Sequence, residues 1–301
     1  MSFSKKKDRW TIFLIVMIPI AALSGWFLAK SALNTNETFY VNIEGSTTVY
    51  KIIDKSYKAF TLYHSGVIIT VTGTGTGSGI TALIDGQTDI AMASRPFKDT
   101  EQTNANGSLI AISIAKDALA IITHASATPI NMTLDVARAI FNGSITEWEH
   151  PAIAASGLSG TIQVVVRESG SGTRDAFNEL VMGDSKQIEN GSAYVSNAIQ
   201  KSSNQLIKDA VAANPNYIGY LGIGYIDSEV KAVSINGVKP NIENVLSGLY
   251  TIQRELFLIT SGDPEGMVKE FINWSLSPEG QDIVLETGFI NVAPTTDDIY
   301  N

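Results

Sequence analysis

Residues 167–177 read Arg-Glu-Ser-Gly-Ser-Gly-Thr-Arg-Asp-Ala-Phe and follow the apolar run 162–166, which is typical of a β-strand. A strand that ends in arginine and turns through two glycines into a helix presents a guanidinium, hydroxyls and free backbone N–H groups together. The helix dipole adds partial positive charge at the same point. The segment therefore predicts an oxyanion-binding turn. The alternative is an ordinary serine- and glycine-rich helix start beside a surface arginine.

Two segments in the first third of the chain repeat this order of strand, glycine or hydroxyl turn, and helix. Residues 39–43 alternate like a strand and run into Gly45-Ser46-Thr47-Thr48, after which apolar residues recur at helical spacing. Residues 67–71 form a β-branched run before the glycine turn 73–79, and a third predicted strand ends in Ser94-Arg95-Pro96. The glycine turn does not match the dinucleotide pattern G-x-G-x-x-G. Several helix N-termini that converge on one point would form a cradle of N–H and O–H donors.

The order of these motifs resembles that of the substrate-binding proteins of phosphate ABC transporters, from about Phe39 to Val292. Besides the turns described above, the resemblance includes DIAMASRP at 89–96, IFNGSITEW at 140–148, IGYLGIGY at 218–225 and SPEGQ at 277–281. It implies a two-lobed α/β fold of the type II periplasmic-binding-protein kind. It also implies one phosphate ion bound in the cleft between the lobes, with no cofactor and no catalysis. The alternation of β and α elements predicts a mainly parallel sheet in each lobe.

The resemblance implies a phosphate cage with donors from both lobes. Hydroxyl and N–H groups of the first lobe would come from the turns that follow its strands. Arg167 would provide a charge-assisted contact from the second lobe. The phosphate-binding residues implied by motif position are Ser46, Thr47, Thr48, Thr76, Ser78, Ser94, Arg95, Arg167, Ser171, Gly172 and Thr173.

Arg95 stands where well-known members of the family carry an aspartate that accepts the phosphate proton, although other members also carry Ser-Arg. Because arginine can only donate hydrogen bonds, a site that prefers phosphate over ionised sulfate needs another acceptor. The candidates are Asp117, Glu44 and Glu168, and a structural or solvated carboxylate is the alternative for each. Asp117 is the leading candidate because it opens the strand that crosses between the lobes. We expect Arg95 at the rim or behind the contacting groups, where it would balance the charge of the acceptor.

The N-terminal sequence predicts a membrane anchor. Residues 10–29 are mostly apolar and follow a basic run, and about 20 helical residues span a bilayer core. The positive-inside bias keeps the basic end in the cytoplasm and the remainder outside the cell membrane. A cleaved signal peptide is the alternative. The predicted organisation is a cytoplasmic segment at 1–9, an anchor at 10–30, a linker at 31–37, one lobe at 38–118 with 255–301, and another at 119–254.

Charge and composition limit the classes of partner. The formal charge is −9 for the whole chain and +4 for its first 34 residues, which leaves −13 for the remainder. An acidic protein of this kind must bind an anion through short-range contacts, and it lacks the basic surface expected of a nucleic-acid-binding protein. The chain has no cysteine, so it forms no disulfide, and its three histidines lack metal-ligand spacing. We expect a monomer whose partners are phosphate, the permease subunits of an ABC transporter and the membrane.

Three other functions remain open at the level of sequence. The cleft could hold another tetrahedral oxyanion, such as sulfate, molybdate or tungstate, or it could report phosphate without transport. A phosphohydrolase is the enzymatic alternative, because a phosphate cleft could hold a phosphoryl transition state. Ser171 lies in a Gly-Ser-Gly turn that lacks the spacing of a nucleophile elbow, and no histidine and aspartate partners are evident. The sequence therefore favours a binding protein over an enzyme.

Overall fold

The structure is a computed structural model that describes residues 38–183 and 194–300. The segment Phe39–Asn301 forms one compact unit. The predicted cytoplasmic segment, anchor and linker at 1–9, 10–30 and 31–37 lie outside the described residues. Within the described ranges, no helix has both the length and the apolar character needed to cross a membrane.

The first lobe begins with three strands that each lead into a helix. Ser46 caps the first of these helices, whose apolar residues Val49, Ile52, Ile53 and Phe60 follow helical spacing and are buried. The elements are β1 (Phe39–Gly45), α1 (Thr47–Tyr63), β2 (Val67–Gly73), α2 (Thr76–Ile84), β3 (Ile90–Ala93), α3 (Asp99–Asn104) and β4 (Leu109–His124).

The second lobe is built from shorter elements that follow β4. They are β5 (Asn131–Met132), α4 (Leu134–Phe141), β6 (Gln163–Arg167), α5 (Gly172–Phe177), β7 (Ile199–Lys201), α6 (Asn204–Ala213), β8 (Tyr217–Gly222), β9 (Val230–Ala232), β10 (Ser234–Ile235) and α7 (Ile242–Leu246). Short 3₁₀ turns occur at Ala154–Ser156 and Ile223–Tyr225, and a π-helical turn at Asn178–Met182. The chain then returns to the first lobe through β11 (Gln253–Ser261), α8 (Gly266–Ser275), α9 (Pro278–Glu286) and α10 (Thr296–Tyr300).

The long strand β4 connects the two lobes. Its residues from Leu109 to Ala118 pair with β11, and its residues from Leu119 onward pair with β8 and β9. The strand order is therefore β2-β1-β3-β11-β4-β8-β6-β7, with β9 beside β4. Because β4 belongs to both halves, the residues around Asp117 lie where the lobes meet.

The sheet is mixed, which corrects the prediction of a mainly parallel sheet in each lobe. In the first lobe β1 pairs in parallel with β2 and β3, but β11 runs antiparallel to β3 and β4. In the second lobe β6 pairs in parallel with β7 and β8, but β8 and β9 run antiparallel to β4. The antiparallel pairs all involve β4 or β11, because β11 runs back beside the first half of β4, and β8 and β9 run against its second half.

Separate hydrophobic cores stabilise the two lobes. The second lobe has one large core around Trp148, Phe177 and Tyr220. The first lobe has two smaller cores, one between α1 and the sheet and one beneath α2. Each lobe therefore holds its strand ends and helix starts in place on its own packing.

Candidate functional site

Three helices begin at the cleft between the lobes, as the sequence predicts. Ser46 accepts from the backbone N–H groups of Thr48 and Val49 at the start of α1, and Ser171 accepts from Arg174 N at the start of α5. The residue before α2 is Gly75, whose φ of 103° would strain a side chain. The N-terminal turn of each helix therefore faces the cleft with backbone donors and a favourable dipole.

Hydroxyl groups from both lobes form a buried cluster at these helix starts. Thr48 Oγ1 and Thr173 Oγ1 lie 3.0 Å apart across the cleft, and Thr76 Oγ1 and Ser94 Oγ lie 3.3 Å apart. All four residues are at most 1% exposed. The structure thus brings together four of the eight predicted hydroxyl donors in a buried site.

The lobes are closed on each other at this cluster. Gly77 N in the first lobe donates to Gly170 O in the second lobe at 3.0 Å. A Cβ atom placed on Gly172 would lie 2.4 Å from Thr76 Oγ1 and 2.6 Å from Ser94 Oγ. The Gly172 backbone therefore packs directly against the hydroxyls of the first lobe.

Arg254 and Asp117 form an ion pair beside the cluster. Arg254 Nε and Nη2 donate to Asp117 Oδ2 at 3.1 and 2.8 Å, and Nη2 also reaches Thr48 Oγ1 at 3.2 Å. Burial raises the pKa of the Asp117 carboxyl above its ordinary value, and the charge of Arg254 opposes that rise. Burial also lowers the pKa of the Arg254 guanidinium, which nevertheless stays charged at neutral pH.

Sequence reasoning missed Arg254. The signal was nevertheless present, because Arg254, Leu256 and Leu258 share the inward-facing period of β11 and an arginine at such a position needs a buried partner.

Arg167 reaches the cleft from the end of β6 and is 1% exposed. Its guanidinium donates to both oxygens of Glu168, from Nε at 2.9 Å and from Nη2 at 2.8 Å. Nη2 also donates to Ser202 O at 3.3 Å, and no described residue accepts from Nη1. The role of Arg167 as a charged ligand-binding group stays a prediction.

Asn204 is a second residue that sequence reasoning missed. It is the first residue of α6, is fully buried, and donates from Nδ2 to Thr48 Oγ1 at 2.7 Å. Its only sequence signal is its position directly after the helix-capping residue Ser203. That signal predicts that a helix begins here, but it does not indicate that the helix begins at the cleft.

The structure places the Arg95 guanidinium in ion pairs with two carboxylates. Its Nε donates to Asp175 Oδ2 at 2.8 Å, and Nη1 and Nη2 donate to Glu101 at 2.8 and 2.7 Å. Arg95 and Glu101 belong to the first lobe and Asp175 to the second, so the group forms an ion pair across the cleft. It does not balance Asp117 as expected, because Arg254 takes that place.

Three further predicted residues differ in their placement. Ser46 uses its hydroxyl to cap α1, so it orders the turn and does not point to the hydroxyl cluster. Ser78 is exposed on α2. Thr47 Oγ1 is buried and has no hydrogen-bond partner among the described residues. Thr47 also lines a groove of about 370 Å³, together with Ser203 and Tyr225 among others.

The three predicted proton acceptors are engaged by protein donors. Asp117 Oδ2 accepts twice from Arg254, and Asp117 Oδ1 accepts from the backbone N–H of Ile223 at 3.1 Å. Glu168 is paired with Arg167, and Glu44 accepts from Thr74 Oγ1 at 2.9 Å. Both oxygens of Asp117 thus have protein donors, with three hydrogen bonds for the roughly four acceptor positions of a carboxylate, and its role as proton acceptor stays a prediction.

Among the described residues, no group of three or more histidine, cysteine, aspartate or glutamate side chains could hold a metal ion. The two guanidinium groups are each paired with a carboxylate, so the formal charges at the centre cancel. The arrangement therefore suits a small anion that is held by hydroxyl, N–H and guanidinium donors.

Comparisons with known proteins agree with this geometry. Residues 31–279 match the model of the PBP superfamily domain. The phosphate-binding protein PstS of Borreliella burgdorferi is 29% identical over 92% of this chain and 98% of its own length. The protein of the same name from Bacillus subtilis is 28% identical over 85% of this chain and 81% of its own.

A solved structure gives the same result. A crystal structure with bound phosphate from Clostridium perfringens, of a protein named as a phosphate ABC transporter substrate-binding protein, has a TM-score of 0.76. It is 34% identical, and the match covers 84% of this chain and 99% of that one. With a two-lobed α/β fold, a closed cleft of anion donors and a family match over most of its length, the chain belongs to the PBP superfamily.

Proposed function

We propose that the chain binds inorganic phosphate between its lobes, on the outer side of the cell membrane, and delivers it to an ABC transporter. The relatives named PstS and the phosphate-bound structure from Clostridium perfringens support this function. The observation that carries the proposal is the buried hydroxyl cluster, in which Thr48, Thr76 and Thr173 from three helix starts are joined by Ser94 from the end of β3. The protein acts as a receptor and not as an enzyme.

The physical basis of binding is replacement of the hydration shell of phosphate by fixed donors. Thr48 and Thr76 contribute hydroxyls from the first lobe, and Thr173 with the N–H groups of α5 contributes from the second. Arg167 adds a charge-assisted contact. Because the donors come from both lobes, the shell is complete only when the cleft is closed, so ligand and closure stabilise each other.

The remaining partners follow from this function. The closed lobes would dock onto permease subunits, and residues 10–30 would anchor a monomer to the membrane with the N-terminus in the cytoplasm. The residues beyond position 34 carry a formal charge of −13, so the overall electrostatic field of the protein contributes little to the attraction of an anion. Binding therefore depends on short-range contacts that salt screens weakly.

Titration calorimetry on phosphate-stripped protein tests the function. We expect one phosphate per chain and no requirement for a metal or cofactor. Tight binding of sulfate or molybdate without any heat from phosphate would assign the cleft to another oxyanion. Steady hydrolysis of a phosphomonoester would place the protein among enzymes.

The same assay should identify Arg167 as a principal charged contact. A hydrogen bond to a charged group contributes about 1.5–3 kcal/mol, so Arg167→Ala should weaken phosphate binding roughly ten- to a hundredfold. Arg174→Ala is the matched control, because Arg174 Nη1 donates to the backbone carbonyl of Arg167 and not toward the hydroxyl cluster. A larger loss for Arg174→Ala than for Arg167→Ala would show that the cage is placed wrongly.

The ion pair across the cleft should slow phosphate release. Opening the lobes must separate Arg95 from Asp175, and the Asp175 side chain is 25% exposed, so the pair is partly screened. We expect Asp175→Asn to accelerate release about three- to tenfold at low salt, and less at high salt. Stopped-flow measurement of dissociation checks this, with Lys98→Ala as the control because Lys98 is 55% exposed and 3.2 Å from the same carboxylate. Equal release rates in Asp175→Asn and wild type would contradict the assignment.

A further inference from the structure

Asn204 carries an unused hydrogen-bond acceptor at the centre of the site. The residue is fully buried, and its Nδ2 donates to Thr48 Oγ1 at 2.7 Å. Its Oδ1 is buried and has no partner among the described residues. Buried polar atoms of folded proteins nearly always have a partner, and one without a partner destabilises the protein. An orphaned acceptor next to a ligand site indicates that the ligand supplies the donor.

The carboxylates nearby cannot provide this acceptor as readily. Asp117 receives two hydrogen bonds from Arg254 at Oδ2 and one from the backbone N–H of Ile223 at Oδ1, so both of its oxygens already have protein donors. Both oxygens of Glu168 are held by Arg167, and Glu44 bonds to Thr74 at an exposed position. Among the polar groups that directly contact Thr48, Asn204 Oδ1 is the one that is both buried and unpaired.

We propose that Asn204 Oδ1 accepts the proton of bound phosphate and thereby selects phosphate over sulfate. This inference rests on the proposed function. Phosphate carries at least one proton near neutral pH, whereas sulfate carries none. A protonated phosphate oxygen can donate a hydrogen bond to Asn204 Oδ1. A sulfate oxygen at the same place has no proton, so its lone pairs would face those of Oδ1. The neutral amide replaces the aspartate expected at position 95, where this chain has an arginine.

The same contact places Asn204 in the donor network. Arg254 Nη2 and Asn204 Nδ2 both donate to Thr48 Oγ1, so the hydroxyl proton of Thr48 points to Thr173 Oγ1 at 3.0 Å. The hydroxyl proton of Thr173 is then available to a ligand oxygen. Asn204 Oδ1 thus accepts from the ligand, whereas Asn204 Nδ2 orients the hydroxyl groups of Thr48 and Thr173.

Competition binding with phosphate, arsenate and sulfate tests the proposal. Arsenate is protonated like phosphate, so the two should respond together. Asn204→Leu keeps the approximate shape without polar atoms, and it should weaken phosphate and arsenate binding roughly ten- to a hundredfold more than sulfate binding. Asn204→Asp keeps an acceptor and adds charge, so it should raise the preference for phosphate over sulfate. Thermal melting without ligand checks the fold of each variant.

The outcomes separate the inference from the function on which it rests. Equal weakening of all three anions in Asn204→Leu would mean that Asn204 only positions Thr48, and the inference would be overturned. An unchanged or lower preference in Asn204→Asp would overturn it as well, even if the leucine variant does not fold. If Asp117→Asn lost the preference while the Asn204 variants kept it, Asp117 would be the acceptor. Absence of phosphate binding to the wild-type protein would instead reject the proposed function.

Discussion

Replacing Gly172 with alanine is expected to remove tight phosphate binding while both lobes stay folded. In the closed arrangement, the new Cβ would lie 2.4 Å from Thr76 Oγ1 and 2.6 Å from Ser94 Oγ. Both hydroxyls are buried and hydrogen-bonded to each other, so neither can move aside without breaking that bond. Overpacking of this kind typically costs about 1–3 kcal/mol and occasionally more. Because the clash here involves two fixed groups, we expect the upper end, which is roughly a hundredfold in affinity.

The effect should appear in binding and not in stability. Gly172 opens α5 without a positive φ, and alanine has a higher helix propensity than glycine, so the helix itself should tolerate the change. Calorimetry and thermal melting of Gly172→Ala measure the two quantities. Gly73→Ala is the matched control, since a Cβ there would meet its nearest atom, Thr47 Cγ2, at 3.4 Å. Wild-type affinity in Gly172→Ala would mean that phosphate is held with the cleft more open.

The helix starts of the site could be predicted because local rules determine them. Ser46 and Ser171 precede helices that they cap, and Gly75 occupies a backbone conformation that suits glycine. These signals lie within a few residues of each other in the sequence. They therefore predicted where the helices begin, and the resemblance to the family then implied Thr48 and Thr173 as ligand contacts at those helix starts.

The residues that were missed depend on contacts between distant segments. Arg254 lies 206 positions after Thr48 in the sequence, and Asn204 lies 156 positions after it. No local pattern states that a strand arginine and a helix-start asparagine meet the same hydroxyl. Arg95 is a different case. Its motif position implied a place in the site, at the rim or behind the contacting groups, but the carboxylates that it pairs with, Glu101 and Asp175, could not be predicted from the sequence.

The sequence pattern also could not predict whether the strands pair in parallel or antiparallel. An apolar run such as β11 looks the same whether it pairs in parallel or antiparallel, because both bury the same residues. The direction follows from the path of the chain, which leaves the first lobe along β4 and returns along β11. The two lobes were implied by the family resemblance, and the alternating elements alone led to the wrong prediction of a mainly parallel sheet.

Arg254→Met is expected to produce the largest loss of stability among these variants. The change leaves the fully buried Asp117 without its counter-charge. Removing one partner of a buried ion pair typically lowers the free energy of unfolding by about 3–5 kcal/mol. For a protein of this size, that corresponds to a fall in Tm of roughly 6–20 °C. Calorimetric melting without ligand measures it, and phosphate binding should weaken as well because Thr48 loses a donor.

The loss should depend on pH in a defined direction. Burial already raises the pKa of Asp117, and removal of Arg254 takes away the charge that opposes the rise. A carboxyl whose folded-state pKa is raised binds more protons folded than unfolded. Stability therefore falls as pH rises from the unfolded pKa, about 3.9, through the folded one. The difference in Tm between Arg254→Met and wild type should be smallest near pH 4 and should grow toward pH 7.

The double variant Asp117→Asn with Arg254→Met separates charge from packing. It removes both charges, and asparagine has nearly the same shape as aspartate. The shape matters because the Asp117 carboxylate packs closely against Gly222: a Cβ atom placed on Gly222 would lie 2.6 Å from Asp117 Oδ2. If the uncompensated charge causes the loss, the double variant should melt above Arg254→Met at pH 7, with little dependence on pH. If the double variant melted lower than either single variant and kept the same pH dependence, the stability would come from the packing of Arg254, and the buried ion pair would not be the source.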